Sequence, residues 1–339
     1  MLKNIVKRVG VYSKYVKLLL KKREFKAIFL GISLVIILRL QGICNKIYYS
    51  AYTMKFLGSN KFPILKINNA LMKIDLKDKG ISKDLMIYKK REFFSTDFIK
   101  NFINEDDFIL EIGANKGYYV LLEAKIAKKG KIYAIEPIKE NYCLLEESIK
   151  LNSFNNITLF PNLALSDDIK EKIMYFYDKQ NWCSFTQNPN ENISEKRKIS
   201  TLTLAEFVKR TNFYPTLLRM DVEGHEYEII KGGIDTLKKA KNLKIFVEMH
   251  PPLLSKEKIK FIMDTLQNNN FKIIAVFQEP TPDLHRFKKI INYIYERVNI
   301  QKYGKIEISN YKDLEECLLC SSRFSNPYLE CFFEKKNIN

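Results

Sequence analysis

Glycine and proline are scarce in this chain, at 12 and 10 of its 339 residues, which excludes collagen-like and low-complexity classes. Cysteine is scarce too. The six, at 44, 143, 183, 317, 320 and 331, are too few and too scattered for a disulfide framework in a chain of this length, so the expected setting is a reducing, cytoplasmic one. Cys317-x-x-Cys320 with Cys331 falls one ligand short of a metal clip, has no His near it and sits in a helical context, so no metal is assigned there. Acids are outnumbered by 57 Lys and Arg to 39 Asp and Glu, a net charge of +18. What is plentiful is apolar material: 46% hydrophobic residues, with 19 Tyr and 23 Phe, enough for a sizeable core and incompatible with bulk disorder. The length calls for one large domain with appendages, or two domains.

The positive charge is concentrated. Residues 1–66 hold fourteen Lys or Arg and one acid, Glu24, which makes that segment +13 and leaves +5 for the other 273 residues. Its one uncharged, mostly apolar run, Ala27 to Leu38, lies between Lys26 and Arg39. Twelve helical residues reach about 18 Å, short of a hydrocarbon core of about 30 Å, and no small-residue cleavage site follows it. Three readings stand for residues 1–66: a helical subdomain packed on the core, an in-plane helix held at an anionic membrane, or an RNA-binding arm. The second is the working hypothesis, a cytoplasmic protein with peripheral membrane contact.

From Leu71 onward strands and helices alternate. LMKIDL (71–76) and DLMIY (84–88) are expected to pair as a hairpin, with a short helix from Ser95 to Ile103. Then come strand Phe108 to Ile112, helix Tyr118 to Lys128, strand Lys131 to Glu136, helix Glu140 to Asn152 and strand Ile157 to Phe160. Residues 164–200 carry short strands around a polar loop containing Trp182 and Ser184, both candidates for an acceptor pocket. Alternation resumes to Phe277, with a helix at 226–240 interrupted at Gly232-Gly233, and Tyr328 to Glu334 is expected as a last edge strand. The division is therefore 1–66, a basic extension; 67–106, a lead-in hairpin and helix; and 107–339, the main domain, with an insertion at 281–327. The βαβαβ succession calls for an α/β, doubly wound, Rossmann-like parallel sheet.

Glu111-Ile-Gly113-Ala-Asn115-Lys-Gly117 runs from a strand through a glycine turn into a helix. Glycine lets backbone approach a ligand, and a helix start offers free N–H groups. The dinucleotide fingerprint G-x-G-x-x-G is not met, and an acid two residues before the first glycine would repel pyrophosphate. It suits a cationic ligand, so S-adenosylmethionine is preferred. Glu136 ends the next strand nineteen residues beyond Gly117, placed for ribose hydroxyls.

These stretches, with AIEPIKENYCLLEESIKLN (134–152), NLALSDD (162–168), ISTLTLAEF (199–207), LLRMDVEGHEYEIIKGG (217–233) and IFVEMH (245–250), resemble the FkbM family of class I S-adenosylmethionine-dependent methyltransferases, over roughly 107–250. The resemblance implies a seven-stranded Rossmann-like sheet and methyl transfer, usually to oxygen. It implies that Glu111, Gly113, Asn115 and Gly117 hold the methionine end of the donor, Glu136 the ribose, and that Asn162 faces the adenine. Asp221-Val-Glu223-Gly224 would form the reaction floor. Asp221, Glu223 and His250 are the catalytic candidates, with His250 chemically the easiest base because imidazole titrates near neutrality. Helix capping competes as a role for Glu223 and Glu226, and the three catalytic candidates are also of the right type to ligate a cation, although no metal is assigned. The leading reading is an O-methyltransferase for a glycan, lipid-linked sugar or similar metabolite. An RNA methyltransferase, disfavoured by the near-neutral body, and an inactive binding protein of the same fold are the alternatives.

Overall fold

The computed structural model describes residues 19, 21–55, 62–78, 80–177, 183–185, 187, 192–285, 287–297, 303–320 and 327–336. Trp182 lies outside the described residues. In chain order the elements are α1 (Phe25–Lys55), β1 (Ile64–Ile67), β2 (Ala70–Lys73), α2 (Ile81–Tyr88), α3 (Phe93–Phe102), β3 (Phe108–Ile112), α4 (Tyr118–Ile126), β4 (Lys131–Glu136), α5 (Lys139–Asn152), β5 (Ile157–Pro161), β6 (Leu163–Ser166), β7 (Glu171–Tyr177), β8 (Cys183–Ser184), β9 (Ile193–Thr203), α6 (Leu204–Thr211), β10 (Leu217–Met220), α7 (Glu226–Gly232), α8 (Ile234–Lys239), β11 (Leu243–Met249), α9 (Lys256–Asn268), β12 (Lys272–Gln278), α10 (Pro282–His285), α11 (Lys288–Arg297), β13 (Gly304–Lys305), α12 (Tyr311–Leu319) and β14 (Leu329–Lys335).

The main sheet runs β13-β12-β14-β11-β10-β3-β4-β5. The five strands from β11 to β5 are parallel, and β14, β12 and β13 join antiparallel. Seven strands were expected, and β13 adds a two-residue eighth at the rim. The central strands are apolar at nearly every position because both faces are covered. Successive residues serve opposite cores: Leu110, Ile112, Leu218 and Ile245 face one, while Ile109, Leu217 and Phe246 face the other. Three of the described helices start where their sequence offers a side-chain oxygen. Thr203 accepts from Glu206 N at the head of α6, Ser255 from Lys258 N at the head of α9, and Asn310 from Asp313 N at the head of α12. A second sheet, β6-β9-β7-β8, stands where short strands around a polar loop were expected.

Three expectations are corrected. The lead-in hairpin is Ile64–Lys73, and residues 84–88 belong to helix α2. DLMIY is too short for its period to separate strand from helix, and Leu85 and Met86 are both fully buried on one helical face. The last strand, β14, is interior rather than an edge, lying between β11 and β12. Its Phe332 and Phe333 point to opposite cores and neither is exposed, which an edge position would not achieve. The apolar run at 27–38 is part of a 31-residue helix that continues through Arg39 and Lys46. Charge interrupts hydropathy without breaking a helix, since Lys and Arg are good helix formers whose heads reach water on long stems.

Candidate functional site

A cavity of about 500 Å³ opens at the carboxyl rim of the parallel strands, where open α/β sheets bind ligands. Gly113 and Asn115 after β3, Glu136 at the end of β4, and Asp221, Val222 and Glu223 after β10 line it.

The glycine turn is held against the reaction floor. Gly113 has φ 83°, and a Cβ there would stand 2.2 Å from the Asp221 carbonyl oxygen, so only glycine lets β3 and β10 approach this closely. The amides of Gly113 and Ala114 both donate to Ile135 O at 3.0 Å. Glu136 accepts from Asn115 N at 2.6 Å on one oxygen, and from Ile138 N at 2.8 Å and Asn141 Nδ2 at 3.4 Å on the other. The first oxygen keeps acceptor capacity for a ribose hydroxyl. Burial is the main reason that the Glu136 carboxyl is pushed up to about 7, against the amide bonds that favour its charge. A glycine turn, a strand-end carboxylate and further acids fit a donor carrying a ribose and a cationic sulfonium.

Not every residue expected around the donor turns to this cavity. Glu111 is 1% exposed and its carboxylate binds the guanidinium of Arg219 on the neighbouring strand β10, which stacks 3.8 Å from the Tyr119 ring centroid. Glu111 lines a smaller adjoining cavity instead. Gly117, at φ 89°, closes the turn against Leu145, and Asn162 is an exposed left-handed residue between β5 and β6, absent from the lining. The sequence places Glu111 beside the turn, but side chains alternate along a strand, and its position opposite Arg219 directs it to the ion pair.

Asp221, Glu223 and His250 are brought together. His250 Nε2 lies 3.8 Å from Asp221 Oδ1 and 3.6 Å from Glu223 Oε2, while its Nδ1 is 2.5 Å from Glu226 Oε1. Glu226 also accepts from Gly224 N at 3.2 Å and is fully buried, so it holds the turn that precedes its own helix and binds the imidazole at once. Glu223 sits at φ 50°, a strained conformation for a residue with a Cβ, and its carbonyl accepts from Ser184 Oγ at 3.2 Å. His250 is 1% exposed and does not line the cavity; Asp221 and Glu223 stand in front of it. Burial alone would lower its pKa, but Glu226, Glu223 and Glu248 outweigh that and raise it well above the usual imidazole value. The surrounding carboxylates therefore favour the protonated form of His250, which stands among three of them. His250, expected as the easiest base, is withdrawn behind Asp221 and Glu223, and these two carboxylates face the cavity. One ligand atom from each of Asp221, Glu223 and His250 lies within 4.8 Å of the others, a donor set that a divalent cation can accept.

Beyond the floor the cavity wall is acidic. Asp84, Glu92, Glu248, Glu279 and Glu330 line it, with Arg91 among them. Glu248 and Glu330 face each other across β11 and β14. Burial first, then repulsion from Asp221 at Glu248 and from Glu248 and Glu92 at Glu330, raises both well above the carboxylate range, which disfavours their charged forms. Glu279 accepts from Ser95 N at 2.7 Å, and burial pushes it up to about 7. Sequence reading missed Arg91, Glu92, Glu279 and Glu330. The signal for Glu330 exists only once β14 is known to pair with β11.

Residues 111–273 match the family model described as the methyltransferase FkbM domain. Among curated proteins, an uncharacterized protein of Methanocaldococcus jannaschii is 34% identical over 101 residues, covering 30% of this chain and 38% of that protein. The tRNA(Phe) (4-demethylwyosine(37)-C(7)) aminocarboxypropyltransferase of the same organism is 29% identical over 133 residues, covering 36% of this chain and 50% of that protein. The chain thus spans half or less of the length of these relatives. Among solved structures, methyltransferase FkbM from Methylobacillus flagellatus aligns with 51% of this chain and 40% of its own at 16% identity and a TM-score of 0.38. M. jannaschii TYW2 in complex with AdoMet aligns with 82% of this chain and 88% of its own at 15% identity and a TM-score of 0.40.

Proposed function

Starting from the FkbM methyltransferase domain that this chain carries over residues 111–273, we propose that it methylates a hydroxyl oxygen of a neutral, hydroxyl-rich acceptor such as a glycan, a lipid-linked sugar or a related metabolite. Bound at the glycine turn, S-adenosylmethionine supplies an electrophilic methyl group. The unshared acceptor capacity of Glu136 supports its reading as the ribose carboxylate, and the close approach of Gly113 to Asp221 supports a donor site beside the floor. Asp221 and Glu223 orient the acceptor hydroxyl, and one of them takes its proton as the oxygen is methylated. Protonated His250, anchored by Glu226, fixes the pair in place.

The observation that carries the acceptor class is the acidic wall. Among the described lining residues, a phosphate-rich acceptor would meet Asp84, Glu92 and Glu223 with Arg91 as the one Lys or Arg to receive it, whereas a hydroxyl-rich acceptor finds in Glu248 and Glu330 carboxyls whose charge burial disfavours. The cation excess also lies mostly outside this domain, in residues 1–66. The second reading is an RNA acceptor, favoured by the similarity to the tRNA-modifying enzyme of M. jannaschii. Incubating the enzyme with methyl-labelled donor and whole-cell extract separates the two. Label in a glycan or glycolipid fraction supports the first reading, and label confined to RNA replaces it with the second.

A further inference from the structure

Helix α1 carries two apolar faces. The inner face rests on the body over almost its whole length: Ala27 packs with Tyr293 and Ile294, Leu34 with Ile291 and Tyr303, Asn45 Nδ2 donates to Tyr88 Oη at 2.6 Å, and the Tyr49 hydroxyl donates to Leu76 O. On the opposite side, Phe29, Ile32, Ile36, Leu40, Ile43 and Ile47 recur every three or four residues and are 71, 54, 54, 58, 55 and 64% exposed. At 3.6 residues per turn they form one continuous stripe. Exposed cations flank it, Lys26 on one side and Arg39 and Lys46 on the other by the same projection. The segment to which α1 belongs, residues 1–66, holds fourteen Lys or Arg against one acid.

From this we infer that α1 lies in the plane of an anionic phospholipid membrane, its outer stripe buried at the headgroup boundary and its flanking cations among lipid phosphates. The helix is long enough to span a bilayer, at about 46 Å for 31 residues, but docking of its inner face from Ala27 to Tyr49 keeps it along the body rather than projecting from it. A spanning orientation would carry the charged body into hydrocarbon. The excess positive charge is what selects an anionic surface over an apolar protein partner. Helix α2 connects this face to the catalytic rim: it packs on α1 through Tyr88 and lines the cavity with Ile81 and Asp84. The geometry thus brings the cavity beside the membrane and, resting on the acceptor reading above, favours a hydroxyl carried on a lipid anchor.

The test uses the full chain and vesicles of phosphatidylcholine alone, or with one third phosphatidylglycerol. Docking predicts binding at least about tenfold tighter to the anionic vesicles, since each cation near the surface adds to the attraction. It also predicts a loss of about tenfold or more in Ile36→Asp/Ile43→Asp, because both positions give up buried apolar area. Arg39→Gln/Lys46→Gln should lose the anionic preference. Circular dichroism and thermal midpoint, unchanged in both variants, confirm that the fold survives. Equal binding of the wild type to both vesicles overturns the inference, as does undiminished binding of Ile36→Asp/Ile43→Asp. So does a wild-type dimer in sedimentation velocity that fails to bind vesicles and that Ile36→Asp/Ile43→Asp dissolves, which would make a second copy the occupant. No methyl transfer is read, so failure here is separable from failure of the acceptor reading.

Discussion

His250 and Glu226 are hydrogen-bonded at 2.5 Å in a place where the imidazole is 1% exposed and the carboxylate is not exposed at all. The bond ties the end of β11 to the start of α7, and the other ring nitrogen of His250 faces Asp221 and Glu223. A histidine so placed acts through its neighbours.

Its titration gives a pH dependence with a definite sign. The folded-state pKa is raised above the ordinary value of about 6.5, so the stabilisation from His250 is fully present below that ordinary value and is lost as pH rises through the elevated folded one. Thermal midpoints measured from neutral to alkaline pH should fall for the wild type and change less for His250→Gln. The same variant should bind donor with unchanged affinity while kcat drops, because the carboxylates it positions lose their anchor. Equal slopes in the two proteins would show that His250 is not the titrating group.

Glu136 gives a second pH dependence. Its carboxyl is pushed up to about 7, and the ionised form is the better acceptor for ribose hydroxyls. Calorimetric donor affinity should therefore tighten by up to about tenfold between about pH 6 and about pH 8. Glu136→Gln should bind weakly with no such dependence.

Glu111 and Arg219 make a buried pair between β3 and β10. Arg219→Met leaves Glu111 uncompensated and should cost about 3–5 kcal/mol in denaturant unfolding. Glu111→Gln should likewise act on stability and leave donor affinity nearly unchanged. A selective loss of donor binding in Glu111→Gln would return this residue to the donor site.

Asp221, Glu223 and His250 also form a set with cation-ligating chemistry. As carboxylates clamped by an imidazolium they need no metal, so turnover should survive exhaustive treatment with a chelator. Loss of turnover restored by magnesium or manganese would reassign the trio as ligands.

Much of this architecture is legible in the sequence. Glu111 to Gly117 and Glu136 marked the first two strand ends because a glycine turn and a strand-end acid are local features. The boundaries of β3, β4 and α5 followed from apolar periodicity. What stayed hidden depends on who pairs with whom. Glu330 enters the cavity only because β14 lies in register with β11, and Glu111 leaves it only because Arg219 stands opposite on β10. Residues 84–88 were too few for their period to tell helix from strand. The outer stripe of α1 is not visible in the linear pattern because Arg39 and Lys46 divide the hydropathy that the helix joins.

The placement of β14 also sets an order of events during synthesis. β11 and β12 leave the ribosome with a strand-wide gap between them, and the segment that fills it, Leu329–Lys335, is translated only after α9, β12 and α12. The nascent protein must therefore wait with two unpaired strand edges before its sheet can be completed, a long-range closure of the kind that slows folding and invites association between unfinished chains.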